Sequence, residues 1–187
     1  MLEADSSMLN GGVMHTEDRL PTSELLARWR ALQNGDIAIE TDWYELNERG
    51  DIVVTPPPTN RHQAIAGDIA SQLSRQLGLL AVPAVPVLTS GGILVPDVGW
   101  MPMERWETAL RSDPLPFAPA ICVEVLSPCN HHLEMSRKIR AYLDCGSSEV
   151  IIIGMQGEIR FWGRDGESSA SSFPLSLKVH PSLLSAR

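Results

Sequence analysis

Lysine is nearly missing from this 187-residue chain: of its fifteen cationic residues only Lys138 and Lys178 are lysines, and the other thirteen are arginines. Surface charge is therefore supplied by arginine, and each lysine calls for its own reason. Cysteine is scarce too. Cys122, Cys129 and Cys145 are odd in number and lack paired zinc-type spacing, which excludes a disulfide framework and reads as reduced thiols of a cytoplasmic protein. No run reaches the roughly 20 apolar residues of a membrane span. The start, Met1-Leu2-Glu3-Ala4-Asp5, has no basic region followed by an apolar core, so a soluble intracellular protein with no membrane partner is expected. Positive charge is also in deficit. A formal net charge of −8 argues against indiscriminate nucleic-acid binding, because phosphate affinity normally rests on a basic surface that releases counterions.

What is present suits an α/β domain with an ample apolar core. Residues 1–20 are polar and poorly patterned, and are expected to form a flexible segment ahead of a single domain over 21–187. Leu25, Leu26, Trp29 and Leu32 predict a short helix over Ser23–Gln33 with Ser23 as cap. A hairpin follows, turning at Asn47-Glu48-Arg49-Gly50 and returning over Asp51–Thr55, with Glu45 near the end of its first arm. Ile65, Ala66, Ile69 and Leu73 predict a helix over about 60–77, with Asn60 and Gln63 at capping-box spacing. Strands are expected over about 80–88 and 93–100, then a loop or short helix over 103–119. Ala120–Leu126 reads as a core strand and His131–Asp144 as a helix closed by Gly146. Val150–Ile153, Glu158–Trp162 and an edge strand at Phe173–Val179 complete the pattern.

Two carboxylates interrupt runs that otherwise read as buried strands: Asp97 in Val95-Pro96-Asp97-Val98, and Glu124 in Val123-Glu124-Val125-Leu126-Ser127-Pro128. Burying an ionised carboxylate costs several kcal/mol unless a partner compensates it, so each implies a cation, a hydrogen-bond network or a shifted pKa. Neighbouring strands would bring the two together as a hard oxygen site for Mg²⁺ or Mn²⁺. His62, in the first turn of its helix, could position a water or touch phosphate, or serve only as a surface group. Arg137, Lys138 and Arg140 form a local basic group after the second carboxylate, with Arg137 and Arg140 as candidate substrate contacts. On spacing alone Lys138 fits a solvated pair with Glu134, four residues earlier. As a site residue it would place a point charge beside an attacking water, and desolvation would shift its pKa toward neutrality.

Tyr44-Glu45-Leu46, the turn at Gly50, His62, Pro96-Asp97-Val98, Glu124-Val125-Leu126-Ser127-Pro128, Lys138, Tyr142 and Gly146 occur in an order that resembles the Uma-two family. That family comprises restriction endonucleases, assigned by likeness, of the PD-(D/E)XK nuclease superfamily. The resemblance spans residues 22–163 and implies a restriction-endonuclease-like α/β core, a mixed central sheet flanked by helices. It implies that Asp97 and Glu124 are metal ligands, that Glu45 is a further acidic ligand, and that Lys138 replaces the lysine usual two residues after the glutamate, a place held here by Leu126.

The family often continues with Glu-Tyr-Trp-Leu-Val-Asp-Pro, whereas this chain has Glu149-Val150-Ile151-Ile152-Ile153-Gly154-Met155. The hairpin turn is also one residue longer than usual. The resulting expectation is a Mg²⁺-dependent (or Mn²⁺-dependent) endonuclease acting on DNA, catalysed by Asp97, Glu124, Lys138 and Glu45, and assembled as a homodimer. Removal of Lys138 is expected to abolish cleavage with little change in stability. The rival is a non-catalytic homodimeric binding module that keeps the fold, favoured by the net acidity and by Ile151 and Gly154.

Overall fold

The long apolar strands predicted over 80–88 and 93–100 are each broken in two, and the break creates the architecture. In the computed structural model, which describes residues 19–127 and 132–184, they become β3 (Val82–Pro83) and β4 (Val87–Thr89), then β5 (Gly92–Leu94) and β6 (Val98–Trp100). The four pieces form one hairpin ribbon that crosses between two sheets. β4 and β5 lie in a four-stranded sheet with β1 (Tyr44–Asn47) and β2 (Ile52–Val54), in the order β2-β1-β5-β4. β3 and β6 join β7 (Ile121–Val125), β8 (Glu149–Ile153), β9 (Ile159–Gly163) and β10 (Gly166–Ser168) in a six-stranded sheet, in the order β10-β9-β8-β7-β6-β3. Pro86 and Pro96 sit in the crossing segments. Neither can donate to a ladder, so regular pairing stops there.

The larger sheet is mixed. β7 and β8 are parallel, pairing Ile121 with Glu149 and Val125 with Ile153, while the other neighbours are antiparallel. A parallel pair needs a crossover, supplied by α4 (His132–Asp144). Gly146, at a φ of 96°, ends it in a left-handed turn that an L side chain would resist. Every residue of β7 and β8 is buried, as strands covered on both faces require.

α2 (Asn60–Leu77) lays Ile65, Ile69 and Leu73, all fully buried, against this sheet. Each contributes roughly 1.5–3 kcal/mol of apolar burial. Its cap is Thr59, whose hydroxyl accepts the His62 N–H at 3.2 Å, and the expected Asn60 is the first helical residue. α1 (Thr22–Gln33) covers the smaller sheet with Leu25, Trp29 and Leu32 against Leu46 and Ile93. Its Ncap is Pro21, with no side-chain cap, so Ser23 falls inside the helix. Gly92, at a φ of 113°, brings β5 so close to the Leu46 and Asn47 carbonyls that a Cβ would collide with them.

The region predicted as loop or short helix contains α3 (Met103–Ala109) and then irregular chain. Phe173–Val179, expected as an edge strand, is not one. Two glutamines one turn apart on α2 take its backbone groups instead: Gln72 bonds Lys178 N and O at 3.1 and 2.7 Å, and Gln76 bonds Ser176 N and O at 2.7 and 3.0 Å. Side-chain amides thus replace a strand ladder. Cys122 and Cys145 are free thiols. Cys129 and most of the segment expected to be flexible lie outside the described residues.

Candidate active site

Where the ribbon changes sheets, backbone amides lose strand partners, and two carboxylates replace them. Val95, just past β5, donates its N–H to Glu45 Oε1 at 2.7 Å. Val125, at the end of β7 beyond its pairing with β6, donates to Asp97 Oδ2 at 2.7 Å. Such charge-assisted bonds are stronger than neutral ones and fix the acids in place. The strand break and the acidic cluster are one feature.

Glu124 reaches the same place from the middle of the larger sheet and is only 5% exposed. Lys138 and Tyr142 stand four residues apart on α4, hence on one face, and both meet it. The Tyr142 hydroxyl donates to Glu124 Oε1 at 2.7 Å, and the Lys138 ammonium lies 3.3 Å from that oxygen and 2.8 Å from Glu45 Oε1. The surface pair of Lys138 with Glu134 does not form; the buried carboxylates take the ammonium.

Burial alone would push the Lys138 pKa down, toward the neutral range expected for a desolvated lysine. Glu124, Glu45 and Asp97 outweigh that, and hold it above its ordinary value. Glu124 moves upward as well, to about 7. Burial is the chief cause; Lys138 opposes it, while Asp97 and Glu45 add repulsion. Two carboxylates share one ammonium, and the more deeply placed acid is left short of compensation. Tyr142 is pushed well up by burial and by the same anions, so it stays a donor.

His62 Nε2 lies 3.2 Å from Asp97 Oδ2 and 3.0 Å from the Val125 carbonyl. Both partners accept, so Nε2 carries the proton. The bond to Asp97 raises the His62 pKa against the opposing effect of burial. Its Nδ1 is buried with no hydrogen-bond partner among the described residues.

Glu45, His62, Asp97, Glu124 and Lys138 all line one cleft of about 1070 Å³. Arg137 and Arg140 do not; they are exposed on other faces of α4, turned away by the helical rotation that brings Lys138 inward. Arg61 does line the cleft, and sequence reading passed over it. The sequence carried Tyr142 only as one position of the family resemblance, although its place one turn after Lys138 was the available signal. The carboxylate set fits the oxygen preference of a hard divalent cation. Among the described residues no three His, Cys, Asp or Glu side chains are already gathered as a cation-binding group, and Lys138 now bridges two of the acids.

A mixed sheet flanked by helices, with acids and a lysine at the strand break, defines a restriction-endonuclease-like α/β protein. A sequence profile of the Uma2 (Uma-two) family, described as "Putative restriction endonuclease", matches residues 37–182, and the chain belongs to that family. A crystal structure of "a putative nuclease belonging to DUF820" from Anabaena variabilis is similar in fold, with a TM-score of 0.63 at 20% identity, covering 83% of this chain and 89% of that one. No curated protein matches the chain. Among the described residues, no helix is long and apolar enough to cross a membrane.

Proposed function

We propose that the chain is a metal-dependent endonuclease that hydrolyses phosphodiester bonds of DNA and works as a homodimer. One observation carries the reading: a buried lysine held between two glutamates, beside an aspartate, on the wall of an open cleft. Asp97 and Glu124 would hold Mg²⁺ or Mn²⁺, with Glu45 as a further ligand. Bound there, the cation would polarise the scissile phosphate and lower the pKa of a water.

The protein's own groups account for the rest. Lys138 keeps its proton, because the flanking acids raise its pKa. It therefore acts as a fixed positive charge that orients a water and offsets negative charge developing on the phosphate, not as a base. Tyr142 holds Glu124 by its hydroxyl, and His62 with the Val125 N–H holds Asp97. Since Glu124 must be ionised to serve as a ligand, activity should rise as pH passes through about 7.

The test is nicking of supercoiled DNA with Mg²⁺ and with EDTA, comparing native protein with Asp97→Ala. Cleavage that needs the cation and falls at least about a hundredfold in the variant supports the enzyme. No cleavage by native protein, or undiminished cleavage by the variant, favours the non-catalytic binding module. The bridging of Glu45 and Glu124 by Lys138 is the observation that keeps this rival open.

A further inference from the structure

We infer that the cleft contains a base-stacking subsite: the Trp43 indole, on the strand face that carries Glu45, receives an unpaired nucleotide base. The substrate class would then be single-stranded or locally unpaired nucleic acid. What is cut there rests on the nuclease reading; the binding does not.

The placement follows from strand geometry. Thr55 donates its N–H to the Trp43 carbonyl at 3.0 Å, carrying the pairing of β1 and β2 one step past Tyr44 and Val54. Alternate residues of a strand share a face, so Trp43 stands on the side of Glu45, and Val53, paired with Glu45, joins them. The opposite side is used for packing: Tyr44 meets Trp29 with ring centroids 5.5 Å apart, and Leu46 is fully buried. Trp43 and Val53 are each left 38% exposed on the cleft wall, whereas Trp29, Trp100 and Trp106 are buried. A lone exposed apolar residue is ordinary. Here the indole, Val53 and the prolines 56–58 all line the cleft that holds the acids.

Charge then selects the occupant. Among the described residues lining the cleft the permanent cations are Arg61 and Lys138; Lys138 is already engaged by Glu45 and Glu124, and His62 by Asp97. The facing acids are Asp42, Glu45, Asp97, Glu124 and Glu134. A duplex hides its base faces and presents two rows of phosphates where a single strand presents one, and the described lining supplies few cations to meet them. An unpaired base presents a flat π-face, and stacking on an aromatic side chain contributes affinity without charge.

The experiment uses the full chain in EDTA, so that nothing is cut, and follows fluorescence anisotropy of labelled dodecathymidylate, dodecauridylate and a duplex of equal length. The single strands should bind at least about tenfold tighter than the duplex. Trp43→Ala should weaken single-strand binding by about tenfold, as loss of one stacked base does. Trp43→Phe should retain most of the affinity, and both variants should melt as the native protein does. The tighter of the two single strands identifies the sugar. Tighter duplex binding, failure to bind either strand, or native affinity in Trp43→Ala would overturn the subsite. Trp43-dependent single-strand binding by a protein that never cuts with Mg²⁺ would refute the enzyme and leave the subsite standing.

Discussion

Two glutamates are buried at opposite ends of the central sheet, Glu124 5% exposed and Glu149 3%. They lie on adjacent parallel strands, Glu149 at the start of β8 beside Ile121, and Glu124 near the end of β7 beside Ile152. Among the described residues, Glu149 is met by neutral donors: Ser171 Oγ and Ser172 N at 2.6 Å, and Ser172 Oγ at 3.0 Å. These bonds pin the serine-rich segment after β10 to the sheet. Glu124 meets a lysine, a tyrosine and the field of two further acids, and it faces a cleft. A buried carboxylate alone therefore marks only a hydrogen-bond network. Crowding of like charge around a shared cation is what marks a candidate site.

The sharpest break between the two ends is in activity. Glu124→Gln should slow Mg²⁺-dependent cleavage about a thousandfold in initial-rate assays, and Glu149→Gln should leave it within about twofold. Next comes stability. Lys138→Ala strands two buried carboxylates and should cost about 4 kcal/mol in urea unfolding at mildly alkaline pH. That replaces the expectation of a nearly unchanged stability, because the ammonium is held between two buried carboxylates.

A pH difference should follow. Glu124 has a folded pKa of about 7 against 4.5 for a free glutamate side chain. Its contribution is fully present below about 4.5 and is lost as pH rises through about 7, a loss on the order of 3 kcal/mol. Urea midpoints should show that loss in the native protein and not in Glu124→Gln. The smallest effect belongs to the other end: Glu149→Ala should cost about 2 kcal/mol, by leaving the Ser171 and Ser172 donors unpaired.

Much of this was legible in the sequence because it rests on local signals. Apolar periodicity located α1, α2 and α4, and the Pro-Asp and Glu-Val-Leu-Ser-Pro motifs led to the family that the profile matches. The convergence of Glu45, Asp97, Glu124 and Lys138 on one cleft was likewise foreseen. The ribbon's passage between sheets was not. Continuous apolar runs do not say which sheet a strand enters, and the signal lay in Pro86 and Pro96. The loss of the strand at Phe173–Val179 was also hidden, since it depends on Gln72 and Gln76, roughly a hundred residues earlier in the chain. Arg137 and Arg140 were grouped with Lys138 by proximity in sequence, and helical rotation separates them.

The most direct test of the account is calorimetric titration of Mn²⁺ into the native protein, Asp97→Ala and Glu149→Ala. One saturable site is expected in the native protein, lost in Asp97→Ala, kept in Glu149→Ala, and tightening as pH rises through about 7, where Glu124 ionises. Equal binding by all three proteins, or loss of the site in Glu149→Ala alone, would contradict it.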